Sequence, residues 1–488
     1  MATSVGGVGS ITSTGIGSGL DVRSILSQLM AVEQRPLTLL QNQAANLNTR
    51  LSSVGKMQGY FSSLRDKANA LTSPTLWGST LASSTDSASV KVSTSTGAVA
   101  GNYAVNVSRL ALGQTLTGTA MPSSASTLNA GTLTIELGSY GSGSPAADFT
   151  AKAGSAAVNI LIDAGNTSLA GIRDKINAAG AGVTATIITD ASGARLSLRS
   201  QQTGAESAFR VSASETTDDG NAATGLSALA FDATAVSSPM QRTMSAVNAE
   251  LSINGIAITS ASNTLSNVVD GMTLSLLKTT TGNVDIGVIS DTASVKTAVT
   301  DFVTAFNTLA SFIKAQTDYN ADNKTSGVLQ GDQSTLALQS QLRSVLNEGS
   351  SASSSWSRLS DIGLVLKSDG TLDTNTTKLD NALGNLPELK KLLAADGASS
   401  AESGFVRRFK RLADAALGSD GVFESRGAGI RSSVTRNGKA QEAMQKRLDQ
   451  TQARLQAQYS ALDTKMASLN NLSTYMTQQI TQFNRSTG

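Results

Sequence analysis

The period of the apolar positions changes twice along the chain. Asp21 stands as an N-cap before Val22, Ile25, Leu26 and Leu29, which fall at helical spacing until Pro36 interrupts them. Beyond the proline Leu37, Leu40, Ala44, Leu47, Leu51, Val54, Gln58 and Phe61 follow at alternating three- and four-residue steps, and the stretch ends near Leu71. The pattern predicts a second helix with a coiled-coil seam carried by Leu40, Leu47, Val54 and Phe61. From about Leu76 Ser, Thr, Gly and Ala take over and the period becomes two. Tyr103, Val105 and Val107, then Leu133, Ile135 and Leu137, then Val183, Ala185 and Ile187 each predict a half-buried strand. Asn254-Gly255 between Leu251–Ile253 and Ile256–Ile258 predicts a two-residue hairpin, and a second hairpin is expected at Gly282-Asn283. A helix over Ser168 to about Ala179 interrupts the strands, with Leu169, Ile172 and Ile176 on one face.

Helical spacing returns after Asp291 with Val295, Val299, Phe302, Phe306, Leu309 and Ile313, and further helices are predicted over Leu336–Leu346 and Phe405–Leu417. From Arg436 to Arg485 there is no proline and Gly438 is the sole glycine. That stretch predicts one helix of about 50 residues, on the order of 75 Å long. Within it Leu448, Leu455, Leu462, Leu469, Met476 and Phe483 recur every seventh residue, with Tyr459, Met466 and Ile480 at the complementary heptad position. The same complementary position is polar at Gln445, Gln452 and Ser473, which predicts a helix that is stable only when partnered. Two partners fit the periodicity: the N-terminal helix of the same chain, in a closed hairpin, or neighbouring subunits.

Composition narrows the chemistry. A chain of 488 residues exceeds a single core, and 4% aromatic with 15% charged residues favours small side chains in long, shallow contacts. The formal net charge of +2 implies neither nucleic acid nor an acidic membrane surface as partner. With no Cys and no His, thiolate nucleophiles, imidazole bases, zinc sites of those ligands and disulfides are all excluded, an absence compatible with passage through a narrow exporter. Residues 1–20 read as disordered and Gly/Ser/Thr-rich, unlike a secretory signal, and no stretch approaches a membrane span. Gly15-Ile16-Gly17-Ser18-Gly19 lacks the strand and the Gly-Lys-Ser/Thr ending of a phosphate loop and reads as a linker. Asp318, Asn320 and Asp322 begin like a calcium loop, but Asn323 stands at the turn and Leu329 where a bidentate Glu is needed, so an acidic turn is expected. Arg407, Arg408, Lys410 and Arg411 share a helix with Phe405, Phe409, Leu412 and Ala416, and their charges are expected to solvate its outer side. No spacing singles out a carboxylate pair or a Ser-Lys set. The reading is therefore of a non-enzymatic chain without catalytic, cofactor-binding or metal-binding residues.

Ile16-Gly17-Ser18-Gly19-Leu20-Asp21 with Ile25, Leu26, Leu29, Met30, Glu33 and Pro36-Leu37 resembles the N-terminal signature of the flagellar filament cap (hook-associated protein 2) family. Gly101-Asn102-Tyr103 before Val105-Asn106-Val107 is similar to it too, and so are Asp270-Gly271-Met272-Thr273-Leu274, Gly331-Asp332, Leu359–Gly363, Asp369-Gly370-Thr371-Leu372 and the closing helix with Tyr475. Residues from Gly131 to Ser200 resemble the insertion repeats of flagellins and hook-associated proteins. The resemblance implies an α+β multidomain fold, with terminal coiled-coil helices, a mixed helical domain and two β-rich domains inserted mid-chain. Its parts would be a leg of residues 1–35 and 436–488, a mostly helical domain of 36–80 and 291–435, an inner β-rich domain of 81–113 and 240–290, and an outer β-rich insertion of 114–239. It also implies a secreted protein at the distal tip of the bacterial filament, forming a ring-like homo-oligomer that promotes flagellin polymerisation and prevents loss of exported monomers. The implied partners are flagellin, the hook-filament junction protein, a cytoplasmic export chaperone on the C-terminal helix and the flagellar type III export apparatus, with no nucleic acid and no membrane insertion. Two alternatives stay open: an adhesin at the filament tip meeting host mucin or glycans through the Ser/Thr-rich outer strands, or another axial component such as the junction protein.

Overall fold

The structure, a computed structural model, describes residues 21–321 and 324–486. The chain forms two compact units, Met1–Ser73 with Thr292–Gly488, and Pro74–Asp291. In the first, α1 (Val22–Glu33) starts at Asp21, whose carboxylate accepts the Ser24 amide at 3.0 Å. Helix α2 (Arg35–Thr72) begins immediately beyond Gln34 with Pro36 in its first turn, where a missing N–H costs nothing. It buries Val54, Met57, Phe61, Leu64, Ala68 and Leu71, a stripe at alternating three- and four-residue steps. Gln58, expected on that stripe, is exposed, and Met57 takes its place.

The second unit opens with the short α3 (Pro74–Trp77) and strands β1 (Thr80–Ser84), β2 (Val90–Thr94), β3 (Gly101–Arg109), β4 (Thr115–Thr117), β5 (Gly131–Tyr140), β6 (Phe149–Ala151) and β7 (Val158–Ile162). Helix α4 (Leu169–Ala178) follows, capped by Ser168, and buries Leu169, Ile172 and Ile176. Then come β8 (Val183–Asp190), β9 (Gly193–Ser200), β10 (Ala208–Glu215), β11 (Gln241–Met244), β12 (Ala249–Ile253), β13 (Ile256–Ser260), β14 (Thr264–Val269), β15 (Met272–Leu276) and β16 (Val284–Ser290). Their pairing gives sheets of order β1-β16-β3-β12-β13, β14-β15-β2, β10-β5-β6 with β7 on β5, and β11-β4-β9-β8. The first two sheets enclose one hydrophobic cluster, with Val105, Val107, Leu251, Leu274 and Ile286 among its members. The last two and α4 enclose another around Leu133, Ile135, Ile172, Leu198 and Phe209. The Asn254-Gly255 hairpin is present between β12 and β13, with φ of 49° and 83° at the two turn residues.

No hairpin forms at Gly282-Asn283. Strand β16 pairs with β1 and β3, so residues 277–283 carry the chain from one sheet to the other. The second tight turn lies at Asp270-Gly271 between β14 and β15, where Gly271 has φ of 67° and a Cβ would stand 2.4 Å from the Ala98 amide. The turn dipeptide was present at both places, but β15 is committed to β2 on its far side and leaves β16 no edge to pair with.

The first unit resumes with α5 (Thr292–Thr317), whose Val295, Val299, Phe302, Phe306, Leu309 and Ile313 are all buried. The two-residue strands β17 (Tyr319–Asn320) and β18 (Thr325–Ser326) form a short hairpin; Asp322 and Asn323 of the calcium-like run lie outside the described residues. Next are α6 (Gln333–Asn347), the paired β19 (Leu364–Leu366) and β20 (Leu372–Thr374), α7 (Thr376–Leu383), α8 (Leu386–Ala394), α9 (Phe405–Leu417) and α10 (Val422–Ser486). Phe409 of α9 meets Phe302 and Phe306 of α5 with centroids 5.4 and 5.6 Å apart. The basic cluster on α9 does not behave as one solvated face. Arg408 is buried and donates to the carbonyls of Ser403, Glu348, Gly349 and Ala401, while Arg411 and Lys410 pair at the surface with Asp396 and Asp414. A guanidinium can be buried only where its donors are met, and the loops flanking α6 and α9 bring those carbonyls together.

Candidate assembly seam on the terminal helices

Helix α10 has 65 residues, roughly 100 Å at the α-helical rise. It begins 14 residues before Arg436, so the expected boundary at 436 falls inside it. That first part is where α2 docks. The Phe61 and Phe423 rings lie 5.1 Å apart, the Asn437 amide donates to Gln43 at 3.1 Å, and Gln441 donates to the Leu40 carbonyl at 3.4 Å. Rising numbers on α10 meet falling numbers on α2, so the pair is antiparallel. Val54 and Phe61 are buried, and Leu40 and Leu47 are half-buried. Phe61 thus meets a section of α10 that the seven-residue repeat from Leu448 onward does not include. Phe423, Ile430 and Asn437 are buried there, and with the half-buried Met444 they form a heptad row of their own. That row was readable, but Gly427 and Gly429 interrupt it and weaken the helical signal.

The polar seam positions move accordingly. Gln445 and Gln452 are exposed, and the polar residues inside the seam are Asn437, the half-buried Gln441, which donates to it at 2.6 Å, and the half-buried Thr451. The cause is the phase of the stripe: it runs through 437, 441, 444 and 448 rather than through 445 and 452. A buried amide layer between apolar layers fixes helix register at some cost in stability.

Helix α1 continues the cover on α10, burying Val22 and Met30. The heptad leucines then emerge one by one. Leu448 is 3% exposed and Leu455 half-buried, but Leu462, Leu469, Met476 and Phe483 are 43%, 57%, 55% and 68% exposed. From residue 468 to residue 485 every side chain is exposed. Leu469, Leu472, Met476 and Ile480 align on one face, Leu472 being a member the heptad count missed. Burying such half-exposed side chains contributes about 1 kcal/mol each, several kcal/mol together. Arg485 is the only charged residue from 466 to 485, so this end of the seam offers shape and apolar area rather than charge pairs to a partner. The Gly15–Gly19 stretch and the rest of residues 1–20 lie outside the described residues.

The comparisons with known proteins are consistent along the chain. Family models described as the flagellar hook-associated protein 2 N-terminus and C-terminus match residues 18–114 and 246–471, and one described as the flagellin hook IN motif matches 148–202. The flagellar hook-associated protein 2 of Escherichia coli (strain K12) is 33% identical over 503 residues, covering 96% of this chain and 98% of that protein. The chain belongs to the flagellar hook-associated protein 2 family. The A-type flagellar hook-associated protein 2 of Pseudomonas aeruginosa is 28% identical, over 96% of this chain and 97% of its own length. The crystal structure of the flagellar cap protein FliD D1-D2-D3 domains from Escherichia coli superposes with a TM-score of 0.61 at 31% identity, covering 78% of this chain and 99% of that one. The hook-associated protein 2 fold is thus α+β and multidomain, with the IN motif match falling on β6, β7, α4, β8 and β9.

Proposed function

We propose that this chain caps the flagellar filament: copies of it assemble at the distal tip, retain exported flagellin and promote its polymerisation. Membership of the hook-associated protein 2 family carries the reading. The exposed apolar face at the end of α10 supports it, because an uncharged seam of that length is soluble and useful only if other helices cover it for part of its life. We assign the leg to residues 1–35 and 436–488, the helical domain to 36–80 and 291–435, the inner β-rich domain to 81–113 and 240–290, and the outer one to 114–239. Leu448, Leu455, Leu462, Leu469, Met476 and Phe483 then form the assembly seam, and Leu40, Leu47, Val54 and Phe61 its base. A cytoplasmic chaperone covers the same helix before export through the flagellar type III apparatus, and flagellin and the hook-filament junction protein are the extracellular partners. No helix among the described residues is long and apolar enough to cross a membrane. The role is structural rather than enzymatic, and the comparisons do not favour the adhesive or junction-protein alternatives.

Deleting the gene and assaying the medium tests the reading. Capping predicts short or absent filaments with flagellin monomers released outside the cell, and gold-labelled protein at filament tips on complementation. Normal filaments in the deletion strain would refute it.

A further inference from the structure

The outer face of the β11-β4-β9-β8 sheet is a polar groove of about 560 Å³. Register places Thr115, Arg199 and Thr184 on one rung across β4, β9 and β8, and Thr117, Ser197 and Thr186 on the next. Gly113 closes one end against the loop that follows β9, where a Cβ would stand 2.7 Å from the Gln202 carbonyl. Two features of the groove are chemically unfinished. Arg199 is exposed and has no carboxylate partner among the described residues; Lys152 and Arg242 lack one too, but of the three only Arg199 lines the groove, and Arg195, Arg173, Lys175 and Arg210 are each paired. Ser197 is 5% exposed, lines the groove, and its hydroxyl makes no hydrogen bond among the described residues. A guanidinium beside free hydroxyls is a site for a carboxylate.

Between residues 114 and 239 Asp148, Glu206 and Asp232 also stand without a cationic partner among the described residues, but only one place gathers three carboxylates. At the end of β10, Glu215, Asp218 and Asp219 bring carboxylate oxygens within 4.8 Å of one another. Asn129, the Ser227 amide and Thr224 donate to Glu215 and Asp219, but no Lys or Arg pairs with any of the three. Asp218 and Asp219 are exposed, and no ion pair joins this loop to Arg199 within a chain.

We infer that the Arg199 groove of one copy receives the Glu215–Asp219 loop of the next, a head-to-tail contact between outer β-rich regions. The two patches are different surfaces of the same domain. Their union is therefore heterologous and closes into a ring if the rotation permits. Like charges are separated and opposite charges joined at each step, which also gives the contact its direction. The inference rests on the proposed assembly of copies and names the groups that make one interface.

Sedimentation velocity on the full chain, across a protein and salt titration, tests it. The wild type is expected to self-associate more weakly as salt shortens the screening length. Arg199→Glu, and separately Asp218→Arg with Asp219→Arg, should each weaken association about tenfold or more. The combined variant carrying all three changes should recover it, because the charges are then exchanged rather than removed. All positions are exposed, and circular dichroism on each variant verifies folding. Association of Arg199→Glu at wild-type strength, a combined variant as weak as its parents, or no self-association of the wild type would overturn the contact. The cap reading is judged apart from this by filament growth and tip labelling: a strain with Arg199→Glu that still caps filaments, with self-association unchanged in solution, sinks the interface alone.

Discussion

Arg408 should be among the least replaceable residues of the helical unit, although it stands in a run of four basic side chains that looks solvated in sequence. Its side chain is 4% exposed and makes four bonds, at 3.0 Å to Ser403, 3.1 Å to Glu348, 2.9 Å to Gly349 and 3.3 Å to Ala401, all to carbonyl oxygens. Its guanidinium also stands 5.0 Å from the centre of the Phe405 ring. Arg408→Ala removes every donor while the four carbonyls stay enclosed, and such a loss costs about 3–5 kcal/mol. With a urea dependence of about 2–3 kcal/mol per molar, the unfolding midpoint drops by roughly 1–2 M. Arg408→Lys keeps the charge but cannot span both loops, and should fall about midway between. The chain has two tryptophans, and Trp356 sits in the loop that Arg408 anchors, so a Trp77→Phe background makes its fluorescence a local reporter. Arg407→Ala is the control: Arg407 is half-buried, its Nε meets no acceptor among the described residues, and its guanidinium lies 3.8 Å from the exposed Asp396, so its removal strands no carbonyl and the loose pair contributes about 1 kcal/mol or less. A midpoint for Arg408→Ala within about 0.3 M of the Arg407→Ala value would refute the claim that buried carbonyl satisfaction, rather than surface charge, is this residue's role.

Asn254→Ala should destabilise the Pro74–Asp291 unit by about 2 kcal/mol, followed by Trp77 fluorescence in urea, since it forces a positive φ on alanine and removes the 2.9 Å bond from the Ala104 amide. Asn254→Gly should recover only the backbone part. Donation from Lys391 and then from the Ser353 hydroxyl holds Glu388 down to about 2, against 4.5 unperturbed. A depressed folded-state value means that the contribution is full above about pH 4.5 and is lost as pH falls towards 2, so Glu388→Gln should flatten the acid limb of the urea midpoint over that window. Leu469→Ser with Met476→Ser should leave the monomer's unfolding midpoint within about 0.5 kcal/mol of wild type, because both are already exposed, yet abolish filament capping in cells.

Local chemistry made most of the fold legible. The Asp21 cap, the Pro36 break, the Ser168 helix, the α5 stripe and the Asn254-Gly255 turn all depend on contacts within a few residues, and sequence carries those directly. What escaped depends on distant partners. Gly282-Asn283 has the residues of a turn, but strand order is decided by which edges remain free. A helical wheel sets Arg408 at the edge of the apolar face of α9 and Arg407 nearly opposite it, but only the convergence of the carbonyls of residues 348, 349, 401 and 403 shows that Arg408 is buried rather than extended to solvent. On α10 the heptad spacing of the leucines was plain, but a repeat of seven leaves the second seam position ambiguous by one residue, which moved the polar layer from Gln445 and Gln452 to Asn437 and Gln441. Burial of Phe423 and Ile430 was masked by the neighbouring glycines.

Helix α10 has a docked base and an end that waits for other helices. Hydrogen exchange on the purified full chain, with light scattering confirming a monomer in the same sample, tests it most directly. Slow exchange through residues 422–448 with fast exchange beyond about residue 460 is the predicted result. Uniform protection of α10 to its C-terminal end in a monomer would contradict the account, and would mean that the apolar face from Leu462 to Phe483 is covered by the chain itself.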